Sequence, residues 1–250
     1  MPFGRRRNRI DRSLRERGVP PEPQHREREV EETSGPWDVA DAPRDGLTRI
    51  DLGSLRLPAA PGMELRVELN AQQKVIGATL RAGESLLQVS AFAAPRAAGI
   101  WDSVRADLAT SASGQGGSLR EVEGPFGTEL AGTIMATQAA QPGQATPPKP
   151  VRRSARFLGV DGPRWFLRGM ISGPAASPED DSAPETEALE DAFRGIVVVR
   201  GTEPMPVREQ LPLALPPHAA EQIARQQAAA QQAAAQQAGG RQPGGPARGA

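Results

Sequence analysis

Few side chains in this sequence are equipped for chemistry, and their placement limits them further. The chain carries two histidines, His25 and His218, and neither cysteine nor tyrosine. His25 stands in PPEPQHREREVEE and His218 beside an Ala/Gln run, both poor in apolar residues. A general base has to be held against its substrate by packed surroundings, so a His-based triad or His-rich metal site would have to be assembled from tails. Without cysteine, thiolate catalysis, thiolate metal ligation and disulfides are excluded. Carboxylates remain. Glu121, Glu123 and Glu129 cluster around Gly124-Pro125, with Glu121 and Glu123 on one strand face. This reads as a solvated strand face sooner than a paired-carboxylate site. The acidic run PEDDSAPETEALED (178–191) has oxygen ligands to offer a divalent cation. It lacks the glycine-bearing spacing of a calcium loop, and its acids suit a helix N-terminus. SGQGGS (113–118) is glycine-rich but follows a helix pattern, whereas a phosphate cradle needs strand, loop, helix in that order. The expectation is a protein that is not an enzyme, with no cofactor and no metal.

Arginine is the other candidate. VDGPRWFLRGMISGP (160–174) places Trp165, Leu167, Gly169 and Ile171 on one face of a strand. Phe166, Arg168, Met170 and Ser172 take the other. An aromatic beside an arginine on an open sheet can stack a single-stranded base. Arg152, Arg153 and Arg156, with Phe157, lie on the preceding strand, and Arg5, Arg6 and Arg7 open the basic stretch FGRRRNR. Arg5, Arg6, Arg7, Arg152, Arg153 and Arg168 are therefore the candidate nucleic-acid contacts. Against them, Lys+Arg and Asp+Glu both number 30, so the whole chain has no formal charge to offer a polyanion. The bland reading of the stretch is a core strand, with Trp165 and Ile171 packed on helices.

The elements that must position these groups follow from periodicity. MELRVEL (63–69) alternates Met63, Leu65, Val67 and Leu69 against Glu64, Arg66 and Glu68, the pattern of a half-buried strand. KVIGATLRAG (74–83) and SLLQVSAF (85–92) continue as strands joined tightly at Gly83. Trp101, Val104 and Leu108 then share one face of a helix bracketed by Pro95 and by Gly114, Gly116 and Gly117. Strands resume in 118–137, around Gly124-Pro125, and 138–150 reads as a loop. VRRSARFLGV (151–160) and PRWFLRGMISG (163–173) form a hairpin whose turn is expected at Asp161-Gly162, with Gly162 at positive φ. Ser182 and Glu185 suggest a capping box for a second helix carrying Leu189 and Phe193, and GIVVVRG (195–201) reads as a last strand.

These elements give an α+β fold: one domain over 48–201, an open antiparallel sheet with two main helices packed on it. Its element order is like that of the Mog1p/PsbP-like sandwich. Residues 1–47 read as a disordered charged arm, with seven arginines in the first twenty positions. Residues 202–217 read as a proline-rich extension, and 218–250 as a low-complexity Ala/Gln/Gly tail. No apolar run suits a secretory signal or a membrane span, and a cytoplasmic address is expected.

Several longer motifs resemble one family. GPWDV (35–39), GMELRVE (62–68), LQVSAFAAPRAAGIWDSVR (87–105), EVEGPFGTEL (121–130), RFLGVDGPRWFLRGMISGP (156–174) and FRGIVVVRGTEPMPVRE (193–209) look like the actinobacterial family called domain of unknown function 3710. The resemblance implies a cytoplasmic actinobacterial protein and carries over no catalytic residue. Two functions are expected from the chain as a whole. The first is a binding or scaffold module that meets a protein partner through its arms. The alternative is a weak, salt-sensitive association with nucleic acid through the arginines named above.

Overall fold

The computed structural model describes residues 35–70, 74–96, 99–137, 150–177, 183 and 185–216. In chain order the elements are β1 (Trp37–Asp38), β2 (Arg49–Asp51), β3 (Leu55–Pro58), β4 (Glu64–Leu69), β5 (Val75–Ala82) and β6 (Ser85–Ala93). Then come α1 (Trp101–Gly114), β7 (Ser118–Gly124), β8 (Gly127–Thr137), β9 (Pro150–Gly162), β10 (Trp165–Ser172), a 3-10 turn at Pro174–Ala176, α2 (Glu185–Arg194) and β11 (Val197–Val198). Seven strands pair antiparallel in the order β4-β5-β6-β10-β9-β8-β7, and a small four-stranded sheet runs β1-β11-β3-β2. The fold is α+β, as the periodicity implies. Residues 64–69 alternate exposed and half-buried as read, and Gly83 turns at φ 54° between Ala82 and Ser85.

The helices do not share a face. Leu189 and Phe193 of α2 bury against Leu167, Ile171, Leu87 and Leu158, together with Leu55, Leu57 and Val198 of the small sheet. Ile100, just before α1, and Trp101 at its start bury on the reverse side with Phe166, Phe157 and Leu130. Strand β10 explains the split. It carries large apolar side chains on both faces, Leu167 and Ile171 on one and Phe166 and Met170, beside Arg168, on the other, so a cover on one side alone would leave apolar surface in water.

The hairpin turn also differs from expectation. Gly162 pairs with Trp165, which puts Pro163 and Arg164 in the turn, and the positive φ (65°) belongs to Arg164. Proline pre-sets the first turn position, which outweighs the Asp-Gly signal. Gly162 has a different reason to be glycine. A Cβ there would lie 2.1 Å from the Trp165 ring.

The ends of the domain are wider than 48–201. Residues 35–47, read as part of an arm, include β1, which pairs parallel to β11, and Asp38, whose Oδ2 accepts from Trp165 Nε1 at 2.7 Å. Residues 208–214, read as extension, run along β6 and the turn between β2 and β3. Arg208 N–H donates to Ala93 O, Leu211 N–H to Ala91 O and Ala214 N–H to Leu52 O, each at 2.8 Å. Strand β5 pairs with β6 only from Ala78↔Val89 to Ala82↔Ser85, so the rest of that edge is open to a strap. Prolines hid it by breaking the alternation, yet proline is compatible with an edge. Residues 1–34 and 217–250, with Arg5, Arg6, Arg7 and both histidines, lie outside the described residues, as does Ser182. Among the described residues no helix is long and apolar enough to cross a membrane.

Candidate functional site

Helix α1 covers only part of its side of the sheet, and the gap is built from four segments: β6, α1, β10 and the strap that carries Arg208. The helix lies down because Trp101 does. Its indole is 6% exposed, stacks on Phe166 at 5.6 Å between centroids and donates from Nε1 to Thr128 O at 2.8 Å. Gly159 makes room below it, since a Cβ there would sit 2.2 Å from the ring. Strand β9 supplies the cap. The Asp161 carboxylate accepts from the N–H groups of Ile100 (2.8 Å) and Trp101 (3.1 Å), placing a negative charge at the positive end of the helix dipole. At the other side the strap is tied down by Arg208, whose guanidinium donates to Asp107 Oδ2 (2.8 Å) and Ser103 Oγ (2.9 Å). Arg208 holds φ at 69°, an uncommon state for a side-chain-bearing residue.

Between these supports lies an open cleft of about 300 Å³. Phe92, Phe166, Ile100, Val104 and Leu108 make its apolar wall, with Arg168, Arg208, Asp107 and Ser111 at the polar positions. Arg168 is half-buried on β10, and its guanidinium carbon stands 5.2 Å from the Phe92 ring centroid. Among the described residues it has no ion pair and no hydrogen bond. Burial alone pushes its guanidinium below its ordinary value, although an arginine stays charged. A cation drawn partly out of water without a carboxylate is costly and calls for an anion.

A second hollow of about 460 Å³ lies on the uncovered part of the same face, lined by Arg66, Glu68, Thr79, Gln88, Met170 and Ser172, among others. Its charges are already engaged. Arg66 pairs with Glu64 at 2.9 Å, and Glu68 accepts from Thr79 and Gln88, each at 3.4 Å. It is larger but has less to bind with.

The chain matches the model of a family described as a protein of unknown function, DUF3710, over residues 35–222. The chain belongs to that family. No curated protein matches it. Every residue of the cleft falls inside the matched segment, so the cleft is part of the DUF3710 domain.

Among the described residues, the arginines singled out in the sequence do not come together. Arg168 pairs across from Gly159, and Arg153 lies six residues away along the same strand, about 20 Å at 3.3 Å per residue. Arg152 and Arg153 are exposed, and Arg152 donates to Gly116 O at 3.0 Å. Arg156 is buried on the α2 side between Glu129 Oε2 and Glu190 Oε1, each at 2.6 Å. The glutamate cluster also divides. Glu121 pairs with Arg105 at 3.1 Å, Glu123 accepts from Thr128 at 3.3 Å, and Glu129 is fully buried with Arg156. Sequence reasoning missed Phe92, Asp107, Ser111 and Arg208 as companions of Arg168. One signal was present: Phe92 shares a strand face with the polar Gln88 and Ser90, as Phe166 shares one with Arg168.

Proposed function

We propose that this domain is a non-enzymatic binding module and that its recognition site is the cleft between α1 and the sheet, selective for an anion. The observation that carries this reading is Arg168, a half-buried cation with no partner among the described residues, set in an otherwise apolar wall. The absence of a nucleophile–base pair there supports binding over catalysis. Ser111 has no histidine beside it among the described residues, and Asp107 is engaged by Arg208. The separation of Arg168 from Arg152 and Arg153 weighs against a nucleic-acid platform, which needs a continuous charged groove. The lack of cysteine supports a cytoplasmic address as part of the same reading.

Amide chemical-shift mapping on the full chain tests it, with acetate, inorganic phosphate, benzoate and AMP as probes. At least one probe is expected to move the amides of 92, 104–111 and 166–168 in the wild type and to leave them still in Arg168→Met. Shifts confined to other regions, no shifts at all, or equal shifts in the variant would overturn the reading.

A further inference from the structure

The charge balance and the size of the cleft narrow what it takes. Arg208 and Asp107 offset each other at 2.8 Å, which leaves Arg168 as the uncompensated charge of the lining. A phosphate monoester carries about −1.5 to −2 charges at neutral pH and would leave a surplus in an apolar wall. A carboxylate carries one and suits the planar guanidinium, which grips it through two parallel N–H donors. The cleft lies at the small end of ligand pockets, and at about 30 Å³ per water-sized group it holds about ten such groups. Phe92, Phe166, Ile100, Val104 and Leu108 offer that body no hydrogen-bonding side chain.

Resting on the anion-binding reading above, we infer that the ligand is a monocarboxylic acid with an apolar body, about ten non-hydrogen atoms in all, its carboxylate on Arg168 and its body along Phe92, Phe166, Val104 and Leu108. A nucleotide exceeds the space and carries too much charge. Octanoate has the stated size and charge, and octan-1-ol has the same body without the charge.

Calorimetry on the full chain separates the possibilities, with octanoate, octan-1-ol, inorganic phosphate and AMP titrated into the wild type and into Arg168→Met. Octanoate is expected to bind the wild type with a negative heat-capacity change. In Arg168→Met its affinity is expected to fall about ten- to a hundredfold, the worth of a charge-assisted hydrogen bond. Octan-1-ol is expected to bind both proteins alike and more weakly than octanoate binds the wild type. If phosphate or AMP binds in an Arg168-dependent way and octanoate does not, the carboxylic-acid inference falls and the anion site stands. If octanoate and octan-1-ol bind equally, or no probe binds, both fall.

Discussion

On the α2 side of the large sheet the buried charges Arg156 and Glu129 pair with each other, whereas on the α1 side the half-buried Arg168 has no ion pair or hydrogen bond among the described residues. Arg156 lies between two carboxylates with its side chain 5% exposed, and Glu129 also accepts from the Phe126 amide. That face meets a helix and a second sheet, and Trp165, 2% exposed, ties it to β1 through Asp38. The opposite face is covered by one helix and a strap, and Arg168 faces the resulting gap. The same residue type thus serves two ends. Where the sheet is closed on both sides the arginine is neutralised in place. Where cover is incomplete, the arginine stands over an aromatic ring with no carboxylate beside it among the described residues.

The largest effect belongs to the closed side. Trp165→Ala is expected to lower stability by about 3–5 kcal/mol, since it opens a large cavity and leaves Asp38 Oδ2 without its Trp165 donor. Denaturant unfolding measures it. A loss below about 1 kcal/mol would show that the closed side is not where stability resides.

Arg156→Met comes next, and its effect depends on pH. Removing the cation leaves Glu129 buried beside Glu190, at an expected cost of about 3 kcal/mol near neutrality. Burial already pushes the Glu129 carboxyl up, against the lowering effect of Arg156, and the variant pushes it further. The folded chain then binds that proton more tightly than the unfolded chain does. Stability therefore falls as pH rises from the ordinary carboxylate value through the raised folded one, and is recovered below that window. Unfolding of both proteins at about pH 5 and about pH 7 should show the deficit of the variant shrinking in acid. A deficit independent of pH would mean that Glu129 is not what the substitution exposes.

A smaller effect lies on the cleft side. Asp161→Ala removes the cap of α1 and is expected to cost about 0.5–2 kcal/mol, with amide exchange accelerating at the start of the helix. Unchanged exchange at 100–104 would show that Trp101 alone seats the helix.

How much of this was legible follows from range. The alternation of 63–69, the stripe Trp101, Val104 and Leu108, and the turn at Gly83 are encoded within a few residues, and each was readable. The side of the sheet that each helix takes is not local. It depends on β10 lying at the centre of the sheet, which needs the whole pairing order. Asp161 reads as a turn residue because its partners, Ile100 and Trp101, are about sixty positions away. The cleft is the extreme case: Phe92, Arg168 and Arg208 come from three elements, and one belongs to a strap that composition places outside the domain. The arginine of the site was visible in the sequence, and the company it keeps was not.

The smallest expected effect is the most informative. Arg168→Met exchanges a half-buried cation for a side chain of similar reach. It loses the contact with the Phe92 ring, worth about 0.5–1 kcal/mol at a partly exposed site. It also removes the cost of holding an unpaired charge away from water, of similar size and opposite sign. Methionine keeps the wall apolar, so the two terms should nearly cancel and leave stability within about 0.5 kcal/mol of the wild type. Arg156→Met, the same exchange one strand away on the other face, should cost several times more. If unfolding shows Arg168→Met to be destabilised as strongly as Arg156→Met, Arg168 has a structural partner in solution, and the contrast between the faces collapses together with the binding site drawn from it.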